Sequence, residues 1–197
     1  MTVTVFGNGT VTGISAGGLP DGCIQSADLA SGTGGKVLQV VATTVTAQNS
    51  STNTDEDTYS GIGLEVAITP VSSSSRFHLT CHIGIGTCVS SNTWGIVLFR
   101  DASKVGNGAE VGSRKGVWFR GVDHTGGAGT DTNHGVGVSG SYFDTTTGTA
   151  GSAITFKAGG LTEAGTMYIN RMEAFSDGAS VHQTTTSSTI TVMEVEA

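Results

Sequence analysis

Ile62-Gly63-Leu64-Glu65-Val66-Ala67-Ile68-Thr69, closed by Pro70, alternates large apolar residues with small or polar ones along its whole length. Successive side chains of an extended chain point to opposite sides, so Ile62, Leu64, Val66 and Ile68 share one face. Proline has no N–H to give to a ladder and ends the run. Just downstream, Phe77, Leu79, Cys81, Ile83 and Ile85 fall on one face, with Arg76, His78, Thr80 and His82 on the other. Working outward, residues 37–45, 94–100, 117–122, 136–143, 154–157, 167–172 and 190–195 are further strand candidates. Turns rich in Gly, Ser, Thr, Asn and Asp separate them. The pattern predicts an all-β fold, a jelly-roll-like antiparallel β-sandwich with an extended N-terminal arm. Strand order stays open at this level. No fixed repeat of the kind a β-helix or collagen stalk requires is visible.

Composition points the same way. Charged residues make up 13% of the 197, about half the usual share of roughly 25%. Gly occurs 31 times and Pro twice. Few charges, many Gly and abundant Thr and Val suit short strands and tight turns, not helices. The net charge of −7 argues against a nucleic-acid partner, which needs a surplus of Lys and Arg. The one basic cluster, Arg114-Lys115 with Arg120 nearby, is too small for a phosphate track and is expected to be a solvated turn. No stretch approaches the roughly 20 apolar residues of a membrane helix, so no membrane insertion is expected. The first residues lack a basic segment followed by an apolar one. A protein made in a bacterial cytoplasm is the expectation.

Residues 1–35 differ from the rest. Val5, Val11, Ile14, Leu19, Ile24 and Leu29 are isolated apolar anchors among turn signals such as Gly17-Gly18-Leu19-Pro20-Asp21-Gly22. So sparse a set cannot form a core alone. Residues 1–35 are therefore expected to be an arm or docking segment ordered by neighbours, and residues 36–197 the β-sandwich head domain.

Candidate chemistry is thin. Asp123, His124, Asp131 and His134 lie in one Gly-rich stretch and are all ligand types. Their spacing matches no metal motif, and an exposed recognition loop is the expectation for residues 121–135. Parity puts Cys81 and His82 on opposite faces of one strand, so they cannot easily share an ion. With an odd total of three cysteines, Cys23, Cys81 and Cys88, free buried thiols are favoured over a disulfide framework. No Gly-x-Ser-x-Gly turn joins a strand to a helix. Asp55-Glu56-Asp57 reads as an acidic turn whose carboxylates point apart. Glu194 and Glu196 share a parity, which chain-end solubility explains. No pair of carboxylates is evident across an aromatic-lined groove, as glycoside cleavage needs. Trp94 and Trp118 are read as core or interface anchors. No enzyme, no cofactor and no metal are expected.

Several stretches carry a resemblance. They are Lys36-Val37-Leu38-Gln39-Val40-Val41, the run from Asp57-Thr58-Tyr59-Ser60 through Pro70, Arg76-Phe77, Leu98-Phe99-Arg100-Asp101 and Tyr142-Phe143-Asp144. Gly165-Thr166-Met167-Tyr168-Ile169-Asn170-Arg171 and Ser188-Thr189-Ile190-Thr191-Val192-Met193-Glu194-Val195 follow in the same order. Over roughly residues 36–197 the chain resembles a widespread group of phage tail-fibre and related virion structural domains, frequent in marine phages. The resemblance implies a non-enzymatic virion protein with a β-sandwich head, commonly a homotrimer. It brings no functional residues with it. The chain is shorter than typical tail fibres, which favours a head fibre, a decoration subunit or a small tip.

The expected function is therefore that of a bacteriophage virion structural protein. It would be an exposed fibre-type or decoration-type subunit for surface attachment or capsid surface assembly. Its partners would be itself, other virion proteins through the arm, and a host surface glycan or protein. A soluble carbohydrate-binding, lectin-like module is the second reading, and a glycan-cleaving enzyme the third. Self-association has its own argument in the sequence. Val40, Ala42 and Val97 lie in the opposite parity to Val41, Ile96 and Leu98. Strands apolar on both faces need a second covering surface.

Overall fold

The structure, a computed structural model, describes residues 4–5, 11–12, 37–86, 93–122, 135–172 and 184–196. It separates into two units, Met1–Gly35 and Lys36–Ala197. In the first, β1 (Thr4–Val5) and β2 (Val11–Thr12) pair antiparallel, Val5 against Val11. Of the expected arm anchors, Ile14, Leu19, Ile24 and Leu29 lie outside the described residues.

The second unit is all-β, with no helix among the described residues. Its strands are β3 (Val37–Val45), β4 (Asn49–Ser51), β5 (Gly61–Ile68), β6 (Arg76–Gly86), β7 (Thr93–Arg100) and β8 (Ser103–Lys104). They continue with β9 (Phe119–Val122), β10 (Gly135–Asp144), β11 (Ile154–Thr162), β12 (Met167–Ile169) and β13 (Ser188–Val195). One sheet runs β3-β13-β6, with β10 on the far edge of β6. At Ile85 the short β12 takes over the edge of β6 that β13 leaves, and passes on to β4. The other sheet runs β5-β11-β7, with β8 and β9 sharing the last edge of β7. Between them, at Leu98, the Asn107 side chain completes the ladder. Its Nδ2 donates to the Leu98 carbonyl at 3.0 Å and its Oδ1 accepts from the Leu98 N–H at 3.1 Å.

Number β3, β5, β6, β7, β9, β10, β11 and β13 one to eight. The sheet orders are then 1-8-3-6 and 2-7-4-5, and the chain changes sheet at every step but one. All pairings are antiparallel. This sandwich is compatible with the jelly-roll expectation.

Parity explains the core. Ile62, Leu64, Val66 and Ile68 face Phe77, Leu79, Cys81, Ile83 and Ile85 of the other sheet in one buried cluster. Phe77 and Phe156 meet with ring centroids 5.6 Å apart. Phe119 of β9 lies against Gly140 of β10, where an added Cβ would come within 2.2 Å of its ring. Only glycine allows the two sheets to meet there.

Three expectations need correction. The candidate at 154–157 extends to Thr162, because β7 supplies ladder partners through Thr162 despite Gly159 and Gly160. The candidate at 167–172 stops at Ile169, because Asn170 takes the left-handed conformation with φ 59°. Gly135, read as loop, belongs to β10, and Gly121 and Val122, which fell in both the strand candidate 117–122 and the expected loop 121–135, belong to β9. In the first and third, cross-strand pairing overrides local propensity.

Candidate functional site

The register across the first sheet sets the pattern of its outer face. Val40, Met193, His78 and Phe143 form one row over β3, β13, β6 and β10. Ala42, Thr191, Thr80 and Ser141 form the next, and Thr44, Thr189, His82 and Ser139 the third. Val37, Val195 and Arg76 flank the first row. Arg76 is the one Asp, Glu, Lys or Arg in these rows. Val37 and Val40 are each 55% exposed and Phe143 is 44% exposed. The His78 and Phe143 rings lie 6.4 Å apart. Polar groups there satisfy one another: His82 Nδ1 and Ser139 Oγ at 2.8 Å, and the Thr44 and Thr189 hydroxyls at 3.0 Å. Nearly uncharged and apolar along one side, this face can bury against another surface without stripping water from ions.

The outer face of the second sheet is closed by the chain's own loops. Val97, Phe99 and Leu161 are buried there, packed against Tyr59 and Val117. The Tyr59 ring stands edge-on to Phe99 with centroids 5.5 Å apart, and the Lys157 ammonium lies 4.2 Å from its centre. Ion pairs clamp the loops. Lys104 joins Asp57 at 2.5 Å and also Glu110, and Lys115 joins Glu56 at 2.9 Å. The two hydrogen-bonded carboxylates raise the Lys104 pKa. Asp55 ties the turn internally, and its hydrogen bond from the Thr58 hydroxyl holds its carboxyl below the usual range. The Asp55-Glu56-Asp57 carboxylates do serve different partners. Val97, however, does not need a sister subunit: it is 2% exposed and covered within its own chain. Its neighbours Tyr59 and Leu161 are too distant in sequence for parity to reveal them.

The buried ionisable groups hold the sandwich. Arg100 of β7 binds Asp144 of β10 at 2.7 Å. Glu194 corrects the solubility reading, since it is 0% exposed. Its carboxylate accepts from Gln39 Nε2 at 2.5 Å, from the Val71 N–H at 2.9 Å and from the Ser72 N–H at 3.3 Å. Burial pushes its pKa up, but the hydrogen bonds from Gln39 and the two amides outweigh this and leave it lowered. The inward parity of Ile190 and Val192 was the available signal. Cys81 is free and buried, with its thiol pushed up to about 12 by desolvation. That leaves it in the thiol form, without nucleophilic character. Trp94 belongs to the main core and Trp118 packs against it.

Asp123, His124, Asp131 and His134 lie outside the described residues, as do Cys23 and Cys88. Among the described residues no three His, Cys, Asp or Glu side chains are placed to hold a metal ion. No described helix is long and apolar enough to cross a membrane. The structure does bring the basic residues together. Arg114, Lys115 and Arg120 line one cleft, where β7 begins and β11 ends. The sequence places these cations in a turn. It does not show the wall opposite, which comes from Thr54, Thr93 and Leu161.

In comparisons with known proteins, no family model matches the sequence and no curated protein matches it.

Proposed function

We propose that this protein is a structural subunit of a bacteriophage particle, an exposed fibre-type or decoration-type component that works as a homotrimer. The observation that carries the reading is the outer face of the β3-β13-β6-β10 sheet, with its nearly charge-free rows and the exposed Val37, Val40 and Phe143. A sheet face of this composition suits burial between copies of one chain, and closed cyclic symmetry lets identical faces meet without leaving an open edge. The resemblance of residues 36–197 to virion domains supports three copies over two. Residues 1–35 then act as the segment that docks on other virion proteins, and the head stands outward toward a host surface glycan or protein.

Native mass spectrometry of the full chain tests the self-association. The wild type is expected as a trimer at micromolar concentration. The double variant Val40→Lys/Phe143→Lys is expected as a folded monomer, because it places charge within the proposed contact. A monomeric wild type, or a double variant that remains trimeric, refutes this arrangement.

A further inference from the structure

We propose that the cleft beside the 108–117 hairpin binds an acidic sugar, whose carboxylate or sulfate is held by Arg114 and Arg120. The inference goes beyond the virion proposal and does not depend on it, since a particle subunit and a free sugar-binding module would use the cleft alike.

The hairpin is built to present cations. Gly108 donates to the Val117 carbonyl at 3.0 Å, and Val111 bridges to Arg114 around Gly112, whose φ of 65° suits glycine. Lys115 pins the base of the hairpin, bound to Glu56 at 2.9 Å and to the Thr54 carbonyl. Arg114 and Arg120 are exposed, and no carboxylate among the described residues pairs with either. A chain of net charge −7 with nine Lys and Arg thus places three of the nine in one cleft, against Glu163 as the one carboxylate among its described lining residues. Two guanidiniums with no carboxylate partner among the described residues form a local anion site in an acidic protein, and their planar forks match a carboxylate or a sulfate.

The rest of the lining suits a sugar ring. Thr93 and Ser113 offer hydroxyl groups, and Val117 and Leu161 supply apolar surface. The cleft measures about 930 Å³, within the range of roughly 300–1,000 Å³ common for ligand sites. A nucleic-acid strand is the poorer fit. It needs a track of cations along successive phosphates, and the rest of this acidic chain repels it.

Isothermal titration of the purified full chain tests the proposal with four probes: trigalacturonic acid, its full methyl ester, a sulfated carrageenan tetrasaccharide and an oligothymidylate of matching charge. Saturable binding of the carboxylated probe, the sulfated probe or both is expected, and identifies the anion. The ester should bind at least about tenfold more weakly, having lost the charge-assisted bonds. Arg114→Gln/Arg120→Gln should abolish measurable binding while leaving the melting temperature unchanged, since neither side chain has a carboxylate partner among the described residues. Wild-type affinity should also fall steeply with added salt. The proposal is overturned if neither anionic sugar binds, if the ester binds equally, if the double variant keeps wild-type affinity, or if the oligothymidylate binds most tightly.

Discussion

Arg100 of β7 and Asp144 of β10 join the two sheets through a charge-assisted hydrogen bond of 2.7 Å. The Asp144 side chain is 1% exposed. The same guanidinium donates to the Thr146 carbonyl at 2.7 Å and to the Thr147 carbonyl at 2.9 Å. It lies 5.4 Å from the Phe77 ring centre and 5.9 Å from that of Phe156. Arg100→Ala would leave a carboxylate buried without its cation, at a cost of about 3–5 kcal/mol. Urea unfolding should register that loss. Arg100→Lys should recover only part of it, because an ammonium lacks the planar fork that serves carboxylate and carbonyls together. Full recovery by lysine would refute the fork geometry.

Glu194 sets an acid limit on stability. Its folded pKa lies below its ordinary value of 4.5. Its contribution is therefore fully present above the unfolded value and is lost as pH falls through the lower folded value. Glu194→Gln keeps the shape and removes the charge, and should cost about 1–3 kcal/mol near neutrality. The gap between wild type and variant should narrow as pH drops below 4.5. Denaturant midpoints measured across that range check the sign; a gap that widens on acidification contradicts it.

Asn170 closes a buried knot between strand ends of the first sheet. Its Nδ2 donates to the Val45 carbonyl at 2.9 Å and the Ala47 carbonyl at 3.1 Å, and its Oδ1 accepts from the Ser188 hydroxyl at 2.7 Å. Its φ is 59°, in the left-handed region. Asn170→Ala loses the bonds and strains the backbone, whereas Asn170→Gly loses only the bonds. The alanine variant should be the less stable by about 1 kcal/mol. Equal thermal unfolding of the two would remove backbone conformation from the explanation.

Cys81 should resist iodoacetamide near pH 8 in the folded protein, since burial pushes its thiol up to about 12. Peptide mapping separates it from Cys23 and Cys88. Modification at Cys81 should rise only in denaturant, and rapid native labelling there would contradict its burial.

Much of the sandwich was legible from alternation. The inward sets of β5 and β6 follow from parity alone, because a strand with one buried face announces itself at period two. The same parity put Glu194 on the core side with Ile190 and Val192. What the sequence hides is the partner set, Gln39, Val71 and Ser72, which makes a buried carboxylate tolerable there. The cleft is similar. Arg114 and Arg120 sit close in sequence, but Leu161 comes beside Gly95, and Glu163 beside Thr93, only through the register of β7 on β11. Val97 misled for the converse reason: the Tyr59 and Val117 cover that buries its face comes from distant loops. Gly121 fell in both a strand candidate and the expected loop, because the Trp94 ring that requires a glycine there is 27 residues away, an added Cβ falling 2.0 Å from it.

The most direct measurement is cryo-electron microscopy of intact phage particles produced with this gene, combined with antibody labelling of the polypeptide. Density for the β-sandwich is expected at defined sites on the particle, in threefold clusters, with the β3-β13-β6-β10 faces turned toward one another. Particles that lack the polypeptide, or that carry it as isolated single heads, would contradict it.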